Sequence, residues 1–218
     1  MGYSITRQQL ESSPTEMLSE GRNWTKGQVR LLMWEGRRLA VKDILSAHPL
    51  FRNSLGKWLI RREAGILKEL QGIPEVPAVY CRIDRWAFAR EYVQGEPLRI
   101  HTKGQVPKEV FRHLQEVIGQ MHARGIAHGD LHHRNILLDG PGKLYLIDFS
   151  NSIRRGGSWN PIQQWIFRQW ARIDRRAILK LKSRYRPEDL SPQEKEVLAN
   201  HPFLYRVGKW FRRLLLPA

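Results

Sequence analysis

The chain has 218 residues, 41% of them hydrophobic, which is enough apolar material for a sizeable core in one domain of two lobes. Its single cysteine, Cys81, excludes an internal disulfide; no apolar run approaches the ~18 residues of a membrane span, and no signal-peptide core appears near Met1. The formal net charge of +16 implies an anionic partner: lipid headgroups, a phosphorylated glycolipid or nucleic acid.

Residues 1–20 are polar with little periodicity and are expected to form a loosely attached lead-in. They open on Met1-Gly2-Tyr3-Ser4-Ile5-Thr6, which fits the short N-myristoylation pattern by coincidence. From Trp24 the pattern changes. Val29–Trp34 and Leu39–Ile44 are apolar runs joined by Glu35-Gly36-Arg37-Arg38, predicting two strands and a turn. Lys42 sits inside the second run, where a solvated lysine is not expected; an edge strand is the bland alternative. Ser54–Leu70 carries Leu55, Trp58, Leu59, Ile66, Leu67 and Leu70 near the helical period, with Glu63 and Glu69 on the same helix. Gly72-Ile73-Pro74 ends it. Val76–Cys81 and Arg85–Tyr92 then read as a strand pair around Asp84. Pro107–Arg124 is a helix with Val110, Phe111, Leu114, Val117, Ile118 and Met121 on one face and Gly125 as its stop.

The most informative stretch follows. Ala127–Leu138 reads Ala-His-Gly-Asp-Leu-His-His-Arg-Asn-Ile-Leu-Leu, and Asp148-Phe149-Ser150 begins 18 positions after Asp130. An acid in a short loop, an amide five residues on, two apolar strands and a second acid is the layout of an ATP-dependent phosphoryl-transfer site. Asn135 and Asp148 supply the oxygen ligands that a magnesium-type ion on a triphosphate wants, and Asp130 is placed to orient an acceptor hydroxyl and take its proton. A metal cluster of His128, His132, His133 and Asp130, or a plain polar loop, is the alternative; neither accounts for the second acid on a following strand.

Residues 151–186 hold ten Lys or Arg against one acid, Asp174, together with Trp159, Trp165 and Trp170. Ser191-Pro192-Gln193-Glu194 is a capping box. On a helical wheel, Pro202–Leu216 places Phe203, Leu204, Val207, Trp210, Phe211, Leu214 and Leu215 on one arc, opposite Arg206, Lys209, Arg212 and Arg213. Such a helix lies in a membrane interface or docks on the protein with a solvated basic back.

His-Gly-Asp-x-x-x-x-Asn followed by Ile-Asp-Phe resembles the protein-kinase-like superfamily, in the branch with His-Gly-Asp: lipopolysaccharide core (Kdo) kinases, RIO-like kinases and aminoglycoside phosphotransferases. The resemblance implies an α+β, two-lobed protein-kinase-like fold: a lead-in (1–20), an antiparallel-sheet N-lobe (21–94) and a mostly helical C-lobe (95–218) ending in the basic amphipathic helix. It implies ATP and Mg2+ as cofactors. Lys42 becomes the strand lysine on the nucleotide phosphates, Glu63 (rather than Glu69) its helix partner, and Glu91 and Val93 part of the hinge along the adenine edge. Gly27 and Val29 become the tail of a phosphate-covering loop whose earlier glycines are missing, Gly21 being too distant. Departures are equally specific. Gly129 replaces the arginine that reads a phosphorylated activation loop, Ser150 replaces the usual glycine, and about ten residues separate Asp148 from the next helix signal at Asn160-Pro161, with no Ala-Pro-Glu. The activation segment is minimal, and no peptide platform is expected. The resemblance thus implies a kinase acting on a hydroxyl of a membrane-surface acceptor, most simply a lipopolysaccharide core sugar, from a cytoplasmic position peripheral to the inner face of the membrane. A RIO-like protein serine/threonine kinase whose basic surface meets nucleic acid or protein is the alternative, and an inactive kinase-fold binding module the third reading.

Overall fold

In the computed structural model, residues 4–20, 27–140 and 142–199 are described, and the chain builds two lobes on either side of a cleft. The N-lobe is a five-stranded antiparallel sheet in the order β1-β2-β3-β5-β4, with β1 (Thr15–Ser19), β2 (Gln28–Trp34), β3 (Arg37–Asp43), β4 (Val79–Arg82) and β5 (Ala87–Glu91). The β2–β3 hairpin turns at Glu35 and Gly36, both with positive φ (47° and 73°), a conformation glycine adopts at no steric cost. In its register Lys42 lies opposite Val29 on one side and Phe88 on the other, so all three share the face toward the cleft.

The lead-in expectation for residues 1–20 is corrected. Thr6 caps α1 (Arg7–Ser12) through a reciprocal capping box with Gln9, and β1 adds an edge strand to β2. Ile5 and Leu10 are 2% and 0% exposed, packed with Leu32, Leu39, Val41, Ala87 and Ala89 on the sheet face away from the cleft. Arg7 ties this cover down through Asp43 at 2.5 Å and Asp84 at 2.7 Å. The N-lobe therefore begins before residue 21. Two inward residues in an otherwise polar segment leave too weak a periodicity to detect.

The helix expected over Ser54–Leu70 starts earlier. α2 (Pro49–Phe51) runs through a π-helical turn (Arg52–Gly56) into α3 (Lys57–Glu69), which buries Ile60, Glu63, Ala64, Ile66 and Leu67. The predicted strand pair is β4 and β5, whose turn is held by the Asp84 carboxylate accepting the backbone N–H groups of Trp86 (2.7 Å) and Ala87 (2.9 Å).

In the C-lobe, β6 (Glu96–Pro97) pairs with β8 (Ile136–Asp139), which pairs with β9 (Lys143–Leu146). α4 (Lys108–Ala123) buries all six residues of the predicted stripe, and Gly125 (φ 74°) turns the chain into β7 (Ile126–Ala127). β7 pairs with β10 (Ile153–Arg154), which closes the segment carrying Asp148. The 25-residue α5 (Pro161–Tyr185) is capped by the Asn160 side chain, which accepts the Gln163 N–H, and α6 (Pro192–Ala199) opens on the predicted Ser191–Glu194 box. One apolar cluster runs through both lobes, from Ile60 and Phe88 past Phe111 and Leu114 to Ile178 and Tyr185. No helix among the described residues is long and apolar enough to cross a membrane. The amphipathic segment Pro202–Leu216 lies outside the described residues.

Candidate active site

β3 delivers Lys42 to the cleft and α3 delivers Glu63, which is 4% exposed. Their Nζ and Oε2 atoms stand 2.7 Å apart. The same ammonium is 3.4 Å from Asp148 Oδ1 and donates to Ser150 Oγ at 2.7 Å. Three residues, 21 to 108 positions away in sequence, thus converge on one amine. Burial disfavours the charge on Lys42, but Glu63 and Asp148 outweigh it and hold the lysine above its usual range. Burial likewise disfavours the Asp148 carboxylate; Lys42 and the hydrogen bonds from Ser150 prevail and hold it well below the usual carboxylate range. The ion set is fixed as lysine cation and aspartate anion at neutral pH.

Ser150, which stands where the usual glycine would, joins this set. Its hydroxyl lies 2.5 Å from Asp148 Oδ1 and 3.2 Å from Glu63 Oε2, and it accepts from Lys42, so it knits the three charged groups together. Arg62, one position before Glu63, donates to the Ser150 and Ser152 carbonyls and ties α3 to this loop. Asp148 itself has φ 62°, a left-handed conformation sparsely populated outside glycine and asparagine-like residues, and Phe149 is buried against the His128 ring, 5.0 Å between centroids.

The loop carrying Asp130 is assembled around a different acid. Asp174, fully buried on α5, accepts the backbone N–H groups of His128 and Gly129, both at 2.8 Å, and contacts His122 Nε2 at 3.0 Å. In the sequence Asp174 stands out only as the lone acid of a basic stretch. Its position in phase with the inward residues Phe167, Ala171, Ile178 and Leu181 was the available signal. Gly129 has φ 77°, and a Cβ there would stand 2.5 Å from the Trp170 ring and 2.8 Å from the Asn151 carbonyl, so no side chain fits where a phosphate-reading arginine would be. Asp130 keeps a side chain 38% exposed, its Oδ2 receiving Asn151 Nδ2 at 3.1 Å and its Oδ1 3.7 Å from His132 Nε2. Asn135 donates its amide N–H to the Asp130 carbonyl at 3.0 Å, which leaves its amide oxygen for a cation. A histidine metal cluster is ruled out on geometry: His128 is buried beside the Ile147 carbonyl, and no group of three or more His, Cys, Asp or Glu suited to a metal occurs among the described residues.

Of the other predicted positions, Gly27 leads into β2 so close to β3 that a Cβ would stand 2.5 Å from the Asp43 carbonyl. Val29 lies opposite Lys42. Glu91 ends β5, and Val93, 7% exposed, follows it into the connection to the C-lobe.

A sequence model described as the lipopolysaccharide kinase (Kdo/WaaP) family matches residues 8–199. The chain belongs to this family. Among curated relatives, it is 31% identical over 129 residues to a 3-deoxy-D-manno-octulosonic acid kinase of Xylella fastidiosa, covering 55% of this chain and 50% of that protein. It is also 32% identical over 120 residues to a probable bifunctional tRNA threonylcarbamoyladenosine biosynthesis protein of Methanosarcina acetivorans, covering 53% of this chain but 21% of that one. The chain thus spans between a fifth and a half of the length of these relatives. Among solved structures, the Rio2 kinase of Chaetomium thermophilum, captured as an ADP/Mg2+-phosphoaspartate complex, matches with a TM-score of 0.59 at 19% identity, covering 86% of this chain and 61% of that one. That likeness establishes the kinase-like, two-lobed α+β fold in this member of the family.

Proposed function

We propose that this protein transfers the γ-phosphoryl group of MgATP to a hydroxyl of a lipopolysaccharide core sugar at a membrane surface. The convergence of Lys42, Glu63 and Asp148 beside a loop that presents Asp130 carries the reading. The donor set suits magnesium: Asp148 and the Asn135 amide oxygen are hard ligands, and Mg2+ characteristically takes one or two such protein ligands and completes its shell with phosphates and water. A bound Mg2+ would neutralise charge on the phosphate oxygens. Lys42, kept protonated and aimed by Glu63, stabilises the nucleotide phosphates, and Ser150 keeps that amine from collapsing fully onto Asp148. Asp130, fixed through Asn151 and the Asp174-anchored backbone, orients the acceptor hydroxyl and accepts its proton.

The hinge at Glu91–Val93 and the cover from Gly27 and Val29 would hold the nucleotide's base and phosphates. A membrane-surface acceptor is supported by α5 and the turn before it. Trp159, Ile162 and Trp165 are 84%, 72% and 52% exposed, beside the exposed Arg168, Arg172 and Arg175. Exposed aromatic and aliphatic groups among cations fit the interface of an anionic bilayer. A peripheral position on the cytoplasmic face, where ATP is available, would suit such a surface. The test uses labelled ATP with lipopolysaccharide from a core-kinase-deficient strain and, separately, a generic protein acceptor. Label on lipopolysaccharide, lost in Asp130→Asn, is the expected result; label on protein alone overturns the glycolipid acceptor in favour of a RIO-like protein kinase.

A further inference from the structure

Arg62 stands half-buried on α3, one position before Glu63, and its guanidinium spends both terminal nitrogens on the main chain that follows Asp148. Nη1 donates to the Ser150 carbonyl at 3.1 Å and Nη2 to the Ser152 carbonyl. The Trp58 ring, one turn earlier on the helix, lies against this guanidinium with its centroid 5.0 Å away. Burial and the neighbouring Arg154 pull the Arg62 pKa down, with Glu63 opposing them, so the cation stands here against much of its surroundings. Two turns further along α3, Glu69 pairs with Arg154 at 2.9 Å. The same segment is bonded to the C-lobe as well. Ser152 Oγ donates to the His128 carbonyl at 3.1 Å, and Ile153 and Arg154 pair with Ala127 and Ile126 as β10 and β7. Residues 150–154 therefore bridge the helix that carries Glu63 and the loop that carries Asp130.

We infer that Arg62 is a positioning residue for phosphoryl transfer: it fixes the main chain after Asp148 to α3, so that the Asp148 carboxylate is held ready for a metal ion while Glu63 holds Lys42. The inference rests on the proposed role of Asp148 as a ligand of Mg2+. The physical need lies in the backbone. Asp148 has φ 62°, a conformation that an aspartate keeps only where its surroundings enforce it. Phe149 is buried and anchors one side of that residue, but the chain beyond it has to be held from α3. Two carbonyls two residues apart, both bonded to one planar and charged fork, fix the direction of the segment as well as its distance from the helix. Gly129 leaves no room for an arginine that reads a phosphorylated segment, and the Arg62 fork supplies the same order without a covalent switch. An arginine that only stabilised the fold would leave Mg2+ capture untouched; a positioning arginine sets how readily the ion is captured.

Binding of ADP to the full chain is measured by calorimetry over a range of Mg2+ concentrations, with thermal melts, for wild type, Arg62→Ala, Arg62→Lys, Leu10→Ala and Asp148→Asn. Wild type is expected to bind ADP more tightly as Mg2+ rises. In Arg62→Ala the Mg2+ concentration giving half of that gain is expected to rise at least about tenfold, the weight of one hydrogen bond from a charged group, while ADP affinity without Mg2+ changes less than about twofold. Arg62→Lys, which keeps the charge without the planar fork, is expected to shift the midpoint only about threefold. Leu10→Ala removes a side chain on the sheet face away from the cleft, so it should lower the melting temperature and leave the Mg2+ midpoint in place. A midpoint unmoved in Arg62→Ala, or moved as far in Leu10→Ala, overturns the positioning role. If Arg62→Ala does not fold, Arg62→Lys decides: the threefold shift upholds the role and its absence overturns it. Asp148→Asn separates this inference from the reading it rests on. Mg2+ dependence that survives in Asp148→Asn, or is missing from wild type, overturns the ligand role of Asp148 and the inference with it. Dependence lost in Asp148→Asn but unmoved in Arg62→Ala leaves the ligand role standing and removes Arg62 from it.

Discussion

Lys42 touches Glu63, Asp148 and Ser150 at once, so substitutions at these contacts test the proposed site directly. Lys42→Met and Asp148→Asn are each expected to lower kcat/KM by roughly 10²–10³, because preorganised charge stabilises developing phosphoryl charge. Ser150→Ala should lower kcat by about tenfold, with an unfolding midpoint close to wild type, since it removes hydrogen bonds to charged groups without opening a core cavity. Steady-state kinetics with thermal melts separate these outcomes. His128 gives a pH dependence. Its Nδ1 accepts the Asp130 N–H at 3.3 Å while its Nε2 lies 3.3 Å from the Ile147 carbonyl, an arrangement only the neutral ring with its proton on Nε2 satisfies. Burial, outweighing the pull of Asp174, holds it below its usual range. The unfolded chain takes up a proton near pH 6.5 that the folded chain resists, so stability is full above about that pH and falls as pH drops below it. Asp148, shifted down, contributes stability above about pH 4, and Lys42, shifted up, contributes it below about pH 10, so neither acts in this window. Melting curves between pH 7.5 and 5.5 should show a decline that His128→Phe flattens; an unchanged slope in the variant would assign the decline elsewhere.

At the scale of elements, two packing arrangements hold the site. α1 covers the sheet face behind Lys42, and Leu10→Ala should cost about 2–5 kcal/mol of stability, read by denaturant titration, since Leu10 is fully buried. A negligible change would return α1 to a dispensable lead-in. α5 meets the catalytic loop where Trp170 lies against Gly129. Gly129→Ala forces both a strained φ and a collision with Trp170, and should lower kcat at least about tenfold, with Trp170→Ala recovering part of the loss. That second-site recovery distinguishes a local clash from general misfolding. The basic character of residues 151–186 also changes meaning at this scale. Arg154, Lys182 and Arg186 form ion pairs and Arg176 bonds backbone carbonyls, so a linear count of charge overstates what faces outward.

At the scale of the whole molecule, a net charge of +16 predicts cosedimentation with vesicles containing anionic lipid that weakens as salt rises from about 0.05 to 0.5 M, the screening length shrinking accordingly. Retention on neutral vesicles at high salt would instead point to the apolar groups around Trp159. The groups that converge in the cleft were legible in the sequence, because a phosphoryl-transfer layout demands particular atoms: an acid and an amide five residues apart, a second acid on a strand, a lysine among apolar residues. α4 was legible for a similar reason, since it buries a stripe that only one periodicity explains. Asp174, Ser150 and the α1 cover were not. Asp174 works through backbone N–H groups that carry no residue signature, Ser150 gains its role only when Glu63 arrives from another element, and β1 is held by ladder hydrogen bonds with mostly exposed side chains. The tertiary structure alone decided which cations are spent inside the protein and which face outward, because pairing depends on distances between helices that no one-dimensional spacing encodes.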